Sequence, residues 1–270
     1  MLIKEAISIA TKELNNQKEA RMLMSFFLNL SAIDLILAEN SSFKNSIDFF
    51  NLVKRAKDGE PIEYITNSVS FYSNSFFIKK GALIPRPETE LLIDKVLDLI
   101  DQKDTIHIAE IGVGSGIIST MLAILIENSN IIATDISKEA IQIAKVNAKK
   151  FNVEDRIKFI HTDYLNNVNQ KFDIIVSNPP YIANDIKLEK KLDFEPSIAL
   201  YGGVNGSEIL KDIIDIAKEH KNCYLCCEMG YDQKKTLSSY MRNCGIYDVE
   251  FYKDLSGLDR GFVAKIGDVS

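Results

Sequence analysis

Two hydrophobic periodicities divide this chain. From Leu2 to about Gly59 apolar residues recur only at helical spacing, with Leu2, Ile3, Ala6, Ile7, Ala10 and Leu14 in one stripe and Met22, Leu23, Phe26, Phe27 and Leu30 in another. Ser31 is placed to cap a short helix ending at Leu37, and a further helix over 49–57 stops at Gly59, which can take the left-handed cap conformation. Pro61 breaks the pattern. Residues 68–72 and 75–78, with Ser73-Asn74 between them, then read as a hairpin linking two parts.

Beyond the hairpin, apolar runs alternate with amphipathic stretches. The pattern predicts strands over 107–111, 131–135, 157–161, 172–177, 223–228, 248–252 and 262–266, and helices over 88–100, 117–127, 138–151, 207–219 and 232–243. Such alternation demands a mostly parallel sheet covered on both faces, an α/β fold. Only the loop 253–261 joins the last two strands, so they are expected to pair antiparallel. Residues 185–200 have no clean period and read as a long functional loop. The division expected is a helical domain over 1–66, a hairpin linker over 67–85 and an α/β domain over 86–270.

Composition narrows the function. The 270 residues are 46% apolar, enough for a catalytic domain plus a smaller one. A net charge of −6 and a pI near 5.3 give no general attraction to phosphate backbones, so any nucleic-acid contact would have to be local. The uncharged stretch 111–126 opens with a glycine loop and is shorter than the ~18–20 apolar residues of a membrane span, so it reads as loop plus buried helix. Lys4 and Glu5 interrupt any secretory pattern, which points to a reducing, cytoplasmic location. Cys223 and Cys226 fall on opposite faces of a strand, and His107, His161 and His220 lack ligand spacing. No metal is expected, and the cysteines read as small buried apolar residues.

Four segments could carry chemistry. Glu110-Ile111-Gly112-Val113-Gly114-Ser115-Gly116 follows the first strand of the sheet and opens a helix, where a ligand can approach the backbone closely. A dinucleotide fingerprint would place its third glycine at 117, where Ile117 stands, so a nicotinamide ligand is disfavoured but open. Asp135, ending the second strand, can accept from both hydroxyls of a ribose; as a helix cap Ser137 serves better. Asp163, just past the third strand, is either an acceptor for an adenine amino group or part of a surface loop. After the fourth strand, Asn178-Pro179-Pro180-Tyr181 offers the Asn178 side-chain carbonyl and the Pro179 backbone carbonyl as acceptors, and its prolines bring no competing N–H. Such a loop can hold a planar NH2. All four segments should converge beyond the carboxyl ends of the strands.

In this order the segments resemble class I S-adenosylmethionine-dependent methyltransferases that act on amino groups. Leu83-Ile84-Pro85-Arg86-Pro87-Glu88-Thr89-Glu90 is similar, more narrowly, to the hallmark of the HemK family, protein-(glutamine-N5) methyltransferases acting on class 1 peptide-chain release factors. Further matches are the stretches 59–65 and 195–203, Glu228-Met229-Gly230 with Gln233, and Asp254-Leu255-Ser256-Gly257 with Arg260. Departures are Glu110 where the family usually has Asp, Val113 where Thr is common, and Asn67 where Gly is usual.

The resemblance implies a Rossmann-like seven-stranded sheet with an antiparallel last strand, after a small helical domain that docks the release factor. It implies S-adenosylmethionine as methyl donor, with S-adenosylhomocysteine (SAH) as product, held by Glu110, Gly112, Gly114, Gly116, Asp135, Asp163 and Asn178. Asn178, Pro179 and Tyr181 would be catalytic, and Arg86 and Glu88 would join Asn178, Pro179, Pro180 and Tyr181 in binding substrate. A monomer with no membrane attachment and no stable nucleic-acid binding is expected. The glutamine of a Gly-Gly-Gln loop would enter the Asn178 pocket, and Tyr181 would cover the amide face. An amide nitrogen is a poor nucleophile, since its lone pair shares the resonance behind the ~18–20 kcal/mol peptide rotational barrier. Two accepted hydrogen bonds would favour the pyramidal geometry that attack requires.

Alternatives remain on the residues themselves. Pro87, Glu88 and Glu90 serve equally as an ordinary helix start, which leaves Arg86 and Glu88 divided between structure and site. Tyr64, Phe71, Phe76 and Phe77 read as packing between the two parts. An adenine-N6 methyltransferase would use the same crevice but should show a basic face, for which Lys54-Arg55-Ala56-Lys57 is a modest substitute. A dehydrogenase or an adenosyl-binding module would leave residues 178–181 idle.

Overall fold

The computed structural model describes residues 1–100 and 105–267; the final residues of the 86–270 domain lie outside that range. It divides into two compact units, Met1–Ser68 with Glu189–Phe194, and Val69–Leu188 with Glu195–Ser270.

The first unit is helical: α1 (Ile3–Leu14), α2 (Gln17–Leu28), α3 (Ala32–Leu37), α4 (Ser46–Lys57) and α5 (Ile62–Thr66). Its core joins Ile3, Ile7, Leu23, Met24, Phe49 and Val53, and the small residues Ala6, Ala10 and Ala20 let helices approach closely. Ser31 caps α3 by accepting from the Asp34 N–H at 3.1 Å. The helix α5 corrects the expectation that Pro61 ends the helical pattern. Pro61 stands at the N-cap, where a missing N–H costs no helical hydrogen bond. Asn67 ends α5 at φ 52°, so the residue standing where the family has glycine keeps the left-handed cap, which asparagine tolerates.

The second unit begins with a hairpin, β1 (Ser68–Phe71) and β2 (Asn74–Phe77), whose turn is Tyr72-Ser73, one residue earlier than predicted. Both turn residues are left-handed, at φ 50° and 59°. An aromatic residue is held there because Tyr72 N–H donates to Glu90 at 2.7 Å and its hydroxyl to Asp94 at 2.7 Å. Phe76 packs on Phe151 at 4.7 Å between ring centroids, within this unit.

The remaining elements are α6 (Glu90–Leu97), β3 (Ile106–Ile111), α7 (Ile117–Leu125), β4 (Ser129–Asp135), α8 (Lys138–Lys150), β5 (Ile157–His161), β6 (Ile174–Ser177), β7 (Ile182–Ala183), β8 (Tyr201–Gly203), α9 (Glu208–His220), β9 (Cys223–Glu228), α10 (Lys234–Asn243), β10 (Val249–Lys253) and β11 (Asp259–Ile266). Among the described residues the main sheet has the order β10-β11-β9-β6-β3-β4-β5. Every neighbouring pair is parallel except those made by β11, which runs antiparallel between β9 and β10. Chain direction switches sides between β3 and β6, the position where open α/β sheets form a ligand crevice. Apolar residues of α9 and α10, including Leu210, Ile213, Ile214 and Leu237, bury one face of the sheet. Residues 185–200, read as loop, carry two short 3-10 turns and lead to β8, which pairs with β7. Cys223, Cys226 and Cys227 are buried, free thiols. No helix among the described residues is long and apolar enough to cross a membrane.

Candidate active site

A cavity of about 310 Å³ opens beyond the carboxyl ends of β3, β4 and β6, and is bounded by Gly112, Gly114, Asp135, Asp163, Asn178 and Pro179. Its volume lies within the range of small-molecule pockets. The glycine loop is pinned to the neighbouring strand: Gly112 and Val113 N–H groups both donate to the Thr134 carbonyl, at 2.9 and 2.8 Å. Asp135 accepts from Gly114 N–H at 2.9 Å on one oxygen and from Ser137 N–H at 2.8 Å on the other. Burial raises its pKa, opposed by these donors. Ser137 caps α8, as the sequence indicates.

Glu110 also lines the cavity, but its carboxylate accepts from both the N–H and the hydroxyl of Ser119 in α7. Burial pushes its pKa up to about 8. Gly116 stands apart from the other cofactor-loop residues. It sits at the start of α7 with φ 78°, and a Cβ there would lie 2.6 Å from the Ala144 Cβ of α8. The third glycine is thus required for helix packing and is not part of the cavity wall.

Asn178 is positioned by side chains far away in sequence. Its Nδ2 donates to the Thr89 hydroxyl at 3.0 Å, Thr89 donates to Glu228 at 2.7 Å, and the Tyr181 hydroxyl donates to the other Glu228 oxygen at 3.1 Å. Thr89 and Glu228 are each 1% exposed. Burial raises the pKa of Glu228, while Thr89, Tyr181 and the Arg260 charge oppose that shift. Tyr181 therefore points its hydroxyl at Glu228 and does not line the cavity, unlike the cover over the substrate amide that the resemblance implies. Burial and the Glu228 charge also hold its hydroxyl protonated.

The backbone beyond Asn178 is clamped as well. Gln233 Nε2 donates to the carbonyls of Tyr181 and Gly206, both at 2.9 Å, while its Oε1 accepts from Gly230 N–H at 3.0 Å. Gly202 lies so close that a Cβ would come within 2.4 Å of the Pro180 carbonyl oxygen.

Arg86 and Glu88 are not cavity residues. Arg86 pairs with the buried Glu195 at 2.6 Å, whose second oxygen accepts from Ile84 N–H at 2.9 Å. This ion pair holds residues 84–86 beside the loop that supplies Pro196, Ile198 and Ala199 to the cavity. Thr89, Glu195, Glu228 and Gln233 lie within the segments that carry the family resemblance, but their spacing revealed no partners.

Comparison with known proteins identifies the chain's relatives. Residues 2–66 match the PrmC N-terminal domain and residues 87–192 the methyltransferase small domain. A release factor glutamine methyltransferase from Clostridium acetobutylicum is 33% identical over 287 residues, covering 99% of each chain. The chain belongs to the release factor glutamine methyltransferase family. A bifunctional methyltransferase from Rickettsia prowazekii is 36% identical over 291 residues, covering 96% of this chain and 56% of that protein. The chain thus spans about half the length of some of its curated relatives. Among solved structures, the N-terminal domain of human METTL16 in complex with SAH superposes with a TM-score of 0.51 at 18% identity, covering 72% of this chain and 76% of that one. That likeness is one of fold, and it is the methyltransferase fold that the sequence resemblance implies.

Proposed function

We propose that this chain transfers a methyl group from S-adenosylmethionine to the side-chain amide nitrogen of the glutamine in the Gly-Gly-Gln loop of class 1 peptide-chain release factors, and so modulates translation termination. The observation that carries this reading is the commitment of Asn178 Nδ2 to Thr89 at 3.0 Å. With Nδ2 so engaged, Oδ1 is available as an acceptor, and Asn178 and Pro179 both line the cavity. An amide oxygen and a backbone carbonyl from adjacent residues suit the two hydrogens of an NH2. The names of the relatives supply the substrate class.

The cavity residues fit the methyl donor. Apart from its chain neighbours, no protein atom lies within 4 Å of a Cβ built on Gly112, so that glycine leaves open space at the cavity and is not needed for packing. Asp135 takes backbone N–H donors from Gly114, Ser137 and Ile136, and its two oxygens keep capacity to accept from a ribose hydroxyl. Asp163 stands at the same wall for an amino group. S-adenosylmethionine supplies, when bound, a methyl group activated by its sulfonium.

The chain's own residues aim the acceptor. Asn178 Oδ1 and the Pro179 carbonyl hold the substrate amide by its hydrogens, which favours a pyramidal nitrogen and restricts its orientation. No base is required beforehand, because the amide proton becomes acidic only as the new N–C bond forms. A glutamate side chain would bring oxygen lone pairs to the same two acceptors and be rejected. The helical residues 1–66, with no chemical motif of their own, dock the release factor, while 67–85 link them to the methyltransferase residues. The enzyme acts as a cytoplasmic monomer without stable nucleic-acid binding.

Transfer of labelled methyl from S-adenosylmethionine to a release factor tests this reading. The label should appear on wild-type factor, vanish when the Gly-Gly-Gln glutamine is replaced, and fall at least a hundredfold with Asn178→Ala enzyme. Label on adenine-containing DNA with none on release factor, or calorimetric binding of NAD in place of S-adenosylmethionine, would overturn it.

A further inference from the structure

We propose that Thr89 and Glu228 act as positioning residues that fix the hydrogen-bond polarity of the Asn178 amide, making the pocket accept a side-chain amide and refuse a carboxylate. This rests on the reading that the methyl acceptor is a glutamine. An asparagine amide turned by 180° keeps its shape and inverts its chemistry, presenting NH2 where it had presented oxygen. Something must decide between the two orientations.

The decision is made by Thr89, at the edge of the cavity, and by Glu228 behind it. Thr89 has a single hydroxyl proton and gives it to Glu228 across 2.7 Å. Its lone pairs are then the only groups it can offer Asn178, so Asn178 must turn Nδ2 toward it, at 3.0 Å, and leave Oδ1 for the ligand. Glu228 fixes the first direction because a carboxylate only accepts. Its second oxygen takes the Tyr181 hydroxyl at 3.1 Å, so both oxygens receive protons from neighbours. The relay runs from β9 through the turn before α6 to the loop after β6, and every link in it has one permitted direction.

Protonation of Glu228 would release the constraint. A carboxylic acid could donate to Thr89, Thr89 would then donate to Asn178 Oδ1, and NH2 would face the ligand. The groups facing Glu228 are the Tyr181 and Tyr252 hydroxyls, the Arg260 cation and the Glu88 carboxylate. Arg260 favours the charged form, whereas burial and Glu88 oppose it. Acidification should therefore cost activity through Glu228.

The test compares wild-type enzyme with T89S, T89V and E228Q on release factors carrying Gln or Glu in the loop. T89V removes the hydroxyl at nearly constant shape; it should lower kcat for the Gln factor at least tenfold and bind the Glu factor at least tenfold more tightly as a competitor. T89S restores the hydroxyl and should recover most of both losses. E228Q can both donate and accept, so discrimination should fall, and the acid limb of the wild-type pH profile should shift to lower pH, where Asp135 alone governs it. A second readout needs no substrate: the Asn178 side-chain NH2 protons should exchange slowly in wild type and T89S and at least tenfold faster in T89V. T89V that matches T89S in discrimination and in amide exchange would overturn the relay, and so would an acid limb that E228Q leaves unshifted. Wild-type enzyme inactive on release factors but with protected Asn178 protons would overturn the substrate reading and leave the relay supported.

Discussion

Asn147 binds Phe77 as a neighbouring strand would. Phe77 N–H donates to Asn147 Oδ1 at 2.8 Å, and Asn147 Nδ2 donates back to the Phe77 carbonyl at 2.9 Å and to the Ser115 carbonyl at 2.8 Å. One fully buried amide of α8 thereby ties the hairpin edge to the glycine loop of the cavity. Asn147→Leu keeps the volume but strands one N–H and two carbonyls, so we expect a loss of about 3 kcal/mol in stability. Urea unfolding measures that loss, and calorimetry should show weaker S-adenosylmethionine binding by the folded fraction. Wild-type values for both would mean that water replaces the amide without cost.

Gly202 offers a way to separate the proposed substrate aiming from the proposed cofactor binding. A Cβ there meets the Pro180 carbonyl oxygen at 2.4 Å and the Gly206 carbonyl oxygen at 2.6 Å, both backbone atoms, so Gly202→Ala must displace the Asn-Pro-Pro-Tyr loop. The end of the cavity proposed to take S-adenosylmethionine is lined by Gly112, Gly114, Asp135 and Asp163, from other loops. Misplacement of a reacting group by about 1 Å costs on the order of a hundredfold in rate. Gly202→Ala should therefore lower kcat by about that factor with a much smaller change in the dissociation constant for S-adenosylmethionine. Equal losses in both would place Gly202 in the general stability of the fold.

Glu195 is the buried half of its ion pair with Arg86, whose side chain is 35% exposed. Removing the carboxylate leaves the Ile84 N–H and the partly buried guanidinium without their partner, whereas Glu195→Gln keeps an acceptor for one of them. We expect Glu195→Ala to cost about 1–3 kcal/mol and Glu195→Gln less than half of that. Denaturant midpoints at matched slope provide the comparison, and equal losses in the two variants would assign the effect to volume.

Much of this arrangement is legible along the chain because its signals are local. Buried parallel strands read as apolar runs, and Asp135 and Asn178 stand directly after two of them, so topology alone brings them to one crevice. The antiparallel β11 follows from a connection too short to hold a crossover helix. What escapes the sequence is pairing across distance: Thr89 meets Glu228 139 residues away, and Gln233 meets the Tyr181 carbonyl 52 residues away. Short elements escape as well, since five residues in α5 and two in β7 cannot display a period. Tyr72 at φ 50° goes against turn preferences, and only the bonds to Glu90 and Asp94 explain it. Glu110 and Gly116 show the complementary case, in which a motif is correctly located but its members divide between the cavity and the packing behind it.

Glu110 makes stability depend on pH in a direction opposite to that of most paired carboxylates. It is buried at the end of β3, and desolvation raises its pKa from 4.5 to about 8 despite the two Ser119 donors, with the Asp135 charge adding to the rise. Between those values the folded chain retains a proton that the unfolded chain has lost. Stability contributed by the neutral form is therefore present below pH 4.5, declines as pH rises and is gone above about 8. Glu110→Gln preserves an oxygen acceptor for Ser119 and abolishes the titration. Asp135 and Glu228 also have raised pKa values and titrate in both proteins, so the quantity to follow is the difference between variant and wild type. That difference should grow in favour of Glu110→Gln across the window and reach a few kcal/mol at its alkaline end. Urea unfolding at a series of pH values measures it. Parallel curves for the two proteins would mean that Glu110 stays ionised in the folded state, with its charge satisfied by Ser119 alone.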